Sequence, residues 1–390
     1  MKFIELLRLI KPLKREDKKA IDESSLSLEK EDISRIVPLI KQKKVSFVES
    51  SLNVSKNLLP SKSFYSLVSN STEEEIVNYV ERLNNKILKN HKERHIKIFS
   101  KNAMENISKF IGKNIEGFPI IKKAIALQLF AIDRIHILLL GDPGTGKTDM
   151  LRDATGLHPI STFGLGSGTT GAGLTITTKG KEVSKGLLPM ADGGICAIDE
   201  LNLMEHKERA SLYNAMEKGF VTYDKSGKHY RFEANVRVLA TANPKGDKFR
   251  ARSVGELKKQ LPFDPALISR FHLVFLIRKP NVEEFRKITS KILKNNNKVN
   301  KGDIEFIKDY INYAENIEVS LPRKFEKQIE DFVESIKIAE DKYLVEVSPR
   351  IVIGFVRMAK ASARVKLKNK VEQEDIDLVI KIVNEGLKTE

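Results

Sequence analysis

Between Gly141 and Thr148 the chain reads Gly-Asp-Pro-Gly-Thr-Gly-Lys-Thr. The spacing fits G-x-x-x-x-G-K-[ST]. The context fits as well, with the apolar run Ile135–Leu140 before it and a helical pattern over Gly146–Ala154 after it. In that setting Gly141, Asp142, Pro143, Gly144, Thr145 and Gly146 form a turn whose backbone N–H groups converge on phosphates at a helix N-terminus. Lys147 then reaches the β- and γ-phosphates, and the Thr148 hydroxyl ligates Mg²⁺. The chemistry expected is binding of ATP with magnesium.

A second group supplies the hydrolytic half. Gly193–Glu200 (GGICAIDE) is an apolar strand ending in two adjacent carboxylates, about fifty residues after the glycine turn. Successive strand residues point to opposite sides, so Asp199 and Glu200 need not share a task. Asp199 suits Mg²⁺ ligation and Glu200 suits polarising the attacking water. Asn243, in Thr241-Ala242-Asn243-Pro244, ends another strand, and its amide could hold that water against the γ-phosphate; Asn-Pro is equally a turn initiator. Arg270, in Leu267-Ile268-Ser269-Arg270-Phe271, and Arg350, in Ser348-Pro349-Arg350, could be surface arginines. An arginine at the γ-phosphate is nevertheless what phosphoryl transfer needs, typically worth ~10³–10⁵ in rate.

These residues need a scaffold. Ile135–Leu140, Ile195–Ile198 and Val236–Ala240 read as strands, with helices at Asn102–Ile111, Ile120–Phe130, Gly146–Ala154 and His206–Lys218. That alternation predicts an α/β fold with a mostly parallel sheet flanked by helices. Residues 281–390 read as helical, a lid after a core at 96–280. Residues 1–95 carry no chemical motif and read as a mostly helical N-terminal region, with a helix face at Glu73–Leu88.

Composition bounds the rest. The 390 residues hold 68 Lys and Arg against 52 Asp and Glu, a net charge of +16, which points to a polyanionic partner. A single cysteine, Cys196, excludes an intrachain disulfide framework, a cysteine zinc ribbon and an iron–sulfur cluster. No signal-peptide core and no apolar run of membrane-spanning length is present, so the chain is expected to be soluble and cytoplasmic, nucleoid-associated when on DNA.

The ordered set GDPGTGKT, GGICAIDE, LATANP, LISRF and SPR resembles the AAA+ P-loop NTPase module of minichromosome maintenance (MCM) replicative helicases. GLGSGTTGAGLT (Gly164–Thr175), LLPMADGGICAIDE (Leu187–Glu200), ERASLYNAMEKGFVTYDKSG (Glu208–Gly227), DIEFIKDYINYAENIEVSL (Asp303–Leu321) and PRIVIGFVRMAKASARVKL (Pro349–Leu367) extend the resemblance to about residues 97–390. It implies that Asn243 is sensor 1, Arg270 the arginine finger and Arg350 sensor 2, the last two acting on a neighbouring subunit's nucleotide in a homo-oligomeric, usually hexameric, ring. It also implies two hairpins gripping DNA without sequence preference. One spans about Thr175–Leu187 with Lys179, Lys181 and Lys185; the other spans about Val221–Phe232 with Lys225, which matches the family's channel lysine, and Lys228. Departures from the family pattern are Leu201, Asn202 and Leu203 in place of Phe, Asp and Lys, and His272 in place of Asp. A further departure is a stretch of about 95 residues where the family carries a large collar. The functional expectation is an ATP-dependent DNA helicase or translocase in replication. The alternatives are a protein-remodelling ATPase resembling MoxR and magnesium chelatase, and a non-enzymatic ATP-binding scaffold.

Overall fold

The structure, a computed structural model, describes residues 93–389 apart from 180–181, 226–227, 247, 250–252, 280–281 and 295–300. The helix expected at Glu73–Leu88 lies outside the described residues. The chain divides after Ile98, and the unit Phe99–Glu390 carries the motifs.

That unit begins with helices α1 (Ala103–Phe110) and α2 (Pro119–Leu129), then strand β1 (Ile137–Gly141) and helix α3 (Lys147–Leu157). Strand β2 (Ser161–Leu165) follows, then a hairpin of β3 (Ile176–Lys179) and β4 (Glu182–Lys185), and β5 (Ile195–Asp199). Helix α4 (Arg209–Lys218) leads into a second hairpin, β6 (Phe220–Lys225) and β7 (Lys228–Glu233), and then into β8 (Arg237–Ala242). After two short helices, α5 (Val254–Lys259) and α6 (Pro265–Ile268), strand β9 (Leu273–Ile277) closes the sheet.

Five strands form one sheet in the order β2-β5-β8-β1-β9, every neighbouring pair parallel. β1, β5 and β8 are buried at every position, as expected for parallel strands covered on both faces. The sequence reading found these three and missed β2 and β9. β2 is an edge strand holding Gly164, with no continuous apolar run. Leu273–Ile277 is such a run, but it lies directly behind the Ser-Arg-Phe motif that drew attention to the loop.

The remainder is helical: α7 (Val282–Lys294), α8 (Lys301–Glu315), α9 (Glu326–Ile338), α10 (Pro349–Val365) and α11 (Gln373–Leu387). α11 starts with a capping box in which Glu372 N–H donates to Asp375 at 2.8 Å. The buried Asp375 carboxylate also accepts from Ser362 at 2.6 Å, locking α11 to α10. Arg364 donates to the Phe130 carbonyl at 2.9 Å, and α11 lies on β9 closely enough that a Cβ at Gly386 would stand 3.3 Å from Leu273. The helical part is thus docked on the sheet edge beside β1. No described helix is long and apolar enough to cross a membrane.

Close backbone contacts locate where the fold tolerates no side chain. A Cβ on Gly194 would lie 2.1 Å from the Ile160 carbonyl oxygen, whereas one on the exposed Gly156 of α3 would meet nothing within 4 Å. Gly194→Ala is expected to destabilise by about 1–3 kcal/mol through backbone displacement. Gly156→Ala is expected to stabilise by about 0.5–1 kcal/mol through helix propensity. Chemical denaturation of the two variants checks this; equal effects would contradict the packing.

Candidate active site

Parallel strands all end on the same side, and a ligand crevice forms there where neighbouring connections diverge. β1 lies between β8 and β9, so the residues following all three strands, together with the end of β5, meet in one cleft of about 1070 Å³. Its lining includes Pro143–Asp149, Asp199, Glu200, Thr241 and Asn243. The opposite wall is Asn114–Ile121, with Arg278, Lys279 and Glu385 at the rim. Sequence reasoning missed that wall and rim, because no motif marks them. The wall is held by Lys122, whose ammonium donates to the carbonyls of Gly112 at 2.8 Å and Ile115 at 2.6 Å.

The glycine turn sits as its motif requires. Gly144 (φ 78°) and Gly146 (φ 82°) are both left-handed; a Cβ on Gly146 would strike Ile115 at 2.3 Å, while Gly144 faces open space. Gly141 is fixed by the neighbouring strand, since a Cβ there would lie 2.1 Å from the Ile277 carbonyl oxygen. Asp142 ties the turn to two other segments, its carboxylate accepting from Phe249 N–H at 2.9 Å and Lys279 N–H at 3.3 Å. Thr145 donates to the Asp142 carbonyl at 2.8 Å.

The Lys147 ammonium is buried and donates to the carbonyls of Gly141 at 2.8 Å and Asp142 at 2.6 Å. Burial pushes its pKa down to about 8, against the opposing pull of Asp142, Asp199 and Glu200. A buried cation held by carbonyls at the mouth of an open, glycine-lined turn fits a polyphosphate. Thr148 and Asp199 offer hard oxygen donors beside it. Mg²⁺ bound with a nucleotide usually takes only one or two protein oxygens, and the residues present fit that demand.

Behind the cleft, Thr241 joins the two carboxylate positions. Its hydroxyl donates to Asp199 at 2.5 Å and accepts from Glu200 N–H at 2.9 Å. Glu200 is left-handed (φ 52°), a conformation that a non-glycine residue holds only when its surroundings impose it. Gly166 makes it possible, since a Cβ there would lie 2.2 Å from the Glu200 carbonyl oxygen. Asn243 N–H donates to the Asn202 side chain at 3.0 Å, and Arg209 braces that turn through the Met204 carbonyl at 2.7 Å. The departure at Asn202 therefore supports Asn243 directly.

Arg270 and Arg350 do not line this cleft. They meet instead at Glu217 of α4, Arg270 at 3.3 Å and Arg350 at 3.7 Å. Arg270 also lies 4.6 Å above the Tyr213 ring, and Arg350 donates to the Ser269 carbonyl at 2.7 Å. Glu217 lies within the family-like stretch Glu208–Gly227, but sequence reasoning assigned it no role. Nearby, His272 is buried, accepts from His136 N–H at 3.0 Å, and has its pKa pressed down to about 3 by burial and the surrounding Arg357, Arg350 and Arg134. It is a neutral internal acceptor.

Of the hairpin lysines, Lys181 lies outside the described residues. Lys179 pairs with Glu182 and Lys225 with Lys228 as backbone partners at the hairpin ends, and Lys185 is exposed.

Residues 92–296 match the family model of the MCM P-loop domain, and residues 305–387 match that of the MCM AAA-lid domain. The chain belongs to the MCM family. It is 31% identical over 323 residues to the minichromosome maintenance protein MCM of Saccharolobus solfataricus, covering 76% of this chain and 47% of that one. It is 30% identical over 313 residues to the DNA replication licensing factor MCM4 of Drosophila melanogaster, covering 73% and 36%. An MCM7 of Oryza sativa is 28% identical, covering 71% and 42%. This MCM chain thus spans 36% to 47% of the length of these three relatives. The matches do not favour the protein-remodelling alternative.

The depressed Lys147 pKa has a consequence for this MCM site. Between about pH 8 and 10.5 the folded protein holds fewer protons on Lys147 than the unfolded chain, so its contribution to stability rises with pH across that window. Phosphates favour the charged ammonium and raise its pKa, so nucleotide binding near about pH 9 is expected to take up close to one proton. Calorimetric titration in buffers of different ionisation enthalpy measures this; buffer-independent heats would contradict it.

Proposed function

We propose that this MCM chain hydrolyses ATP and uses it to move along and unwind DNA during replication, working as a homo-oligomeric, hexameric ring. The observation that carries the reading is the network behind the cleft. One threonine, Thr241, donates its hydroxyl to the Asp199 carboxylate and accepts from the Glu200 N–H, beside Asn243 and the phosphate loop.

In this reading Gly141–Gly146 cradle the phosphates, Lys147 balances the β- and γ-phosphates, and Thr148 and Asp199 hold Mg²⁺, which when bound neutralises charge on the phosphate oxygens. Glu200 takes the proton of the attacking water, and Asn243 orients that water. Phosphoryl transfer also calls for a cation that stabilises the transferring group from the side away from Lys147. Arg270 and Arg350 supply it from the next subunit, which accords with their lying outside their own cleft and being held together by Glu217. Lys179, Lys181, Lys185, Lys225 and Lys228 hold DNA phosphates, in keeping with the net charge of +16. The place of work is the DNA, not a membrane.

Glu200→Gln is expected to lower hydrolysis by about 10²–10⁴-fold while leaving nucleotide affinity within a few-fold, because it removes the proton acceptor and leaves the phosphate contacts. Steady-state ATPase assays with and without single-stranded DNA, alongside a strand-displacement assay, test the whole reading. DNA-stimulated turnover with unwinding supports it; turnover indifferent to DNA contradicts the DNA motor.

A further inference from the structure

The second hairpin carries more than lysines. Its register sets Val221 opposite Phe232, Tyr223 opposite Tyr230 and Lys225 opposite Lys228. Alternate residues of a strand share a face, so these three pairs occupy one face in order from base to tip. The first pair belongs to the core: Val221 is buried, and Phe232 packs against the same cluster. The second pair, Tyr223 and Tyr230, is only half-buried. The reverse face is occupied differently, with the Arg231 guanidinium lying 4.0 Å over the Phe220 ring.

Lys185 of the first hairpin extends this arrangement. Its ammonium lies 6.0 Å from the centroid of the Phe232 ring, the aromatic residue at the base of the tyrosine face. An aromatic pair therefore sits between a cation near the hairpin base and two lysine positions at the tip. Phosphate binding alone would need only the cations. Aromatic rings between cations match a single-stranded polynucleotide, whose bases are free to stack while its phosphates run alongside.

We propose that Tyr223 and Tyr230 form a stacking platform for the bases of single-stranded DNA, flanked by phosphate contacts from Lys185, Lys225 and Lys228. The proposal rests on the reading of the chain as a DNA motor and assigns the hairpin a grip on bases as well as on phosphates. Every base offers a π face, so this grip carries no sequence preference. A paired duplex has its bases stacked internally and cannot use it.

The test is fluorescence anisotropy of the full chain with a labelled single-stranded oligonucleotide and with the same backbone made abasic. The wild type is expected to bind the normal strand at least about ten-fold more tightly than the abasic one. Y223L/Y230L is expected to lose that difference, Y223F/Y230F to keep it, and K225A/K228A to weaken both strands alike. Thermal unfolding of each variant establishes that it is folded. Equal wild-type affinity for the two strands overturns the platform without any variant, as does a folded Y223L/Y230L that keeps the wild-type preference. Either outcome leaves the DNA motor standing. A wild type that binds neither strand removes the DNA reading and the platform with it.

Discussion

The site depends on the register of parallel strands ending at one edge of the sheet. Leu140 lies beside Ala242, Ile198 beside Ala240 and Gly141 beside Ile277, so Asp142 emerges level with Arg278, Asn243 one residue lower and Asp199 two residues below Asn243, all at the same end of the sheet. The strands are buried on both faces, so a slip of one residue would invert every side chain between two packed layers. That cost holds the phosphate loop and the carboxylates in position without direct bonds between them. The close approach of β9 to β1 requires Gly141 to lack a side chain, and Gly166 plays the same part against Glu200.

How much of this was legible in sequence follows from how local each feature is. The phosphate loop could be read because its chemistry is contiguous: eight residues, the strand before and the helix after. The fully buried β1, β5 and β8 could be read as apolar runs for a similar reason. Thr241 stands in the sequence only as part of the Thr-Ala-Asn-Pro motif. Its role requires that β8 lie beside β5, which no local pattern states. Glu217 was invisible, because its meaning comes from Arg270 and Arg350, residues 53 and 133 positions further on, arriving at one carboxylate. His272 stood out only as a departure from a pattern. Its neighbour His136 gives it a structural part: a neutral imidazole accepts the His136 N–H in a buried place.

In the proposed reading, the molecule presents two incomplete halves of one reaction centre. The cleft holds nucleotide-binding groups, a metal-ligand pair and a base, while two arginines suited to phosphoryl transfer stand at Glu217 outside it. A surface carboxylate between two arginines contributes little to stability, since exposed ion pairs are worth at most about 1 kcal/mol. Its effect is to hold both guanidinium groups in one place, where the proposed ring would present them to another copy.

The direct test of this division of labour mixes two variants that are each inactive alone, Arg270→Ala and Lys147→Ala. The account predicts that the mixture recovers part of the wild-type ATPase activity, because some junctions pair an intact phosphate loop with an intact arginine from the neighbour. Full activity from a wild-type monomer, held below the concentration at which it assembles, would contradict it.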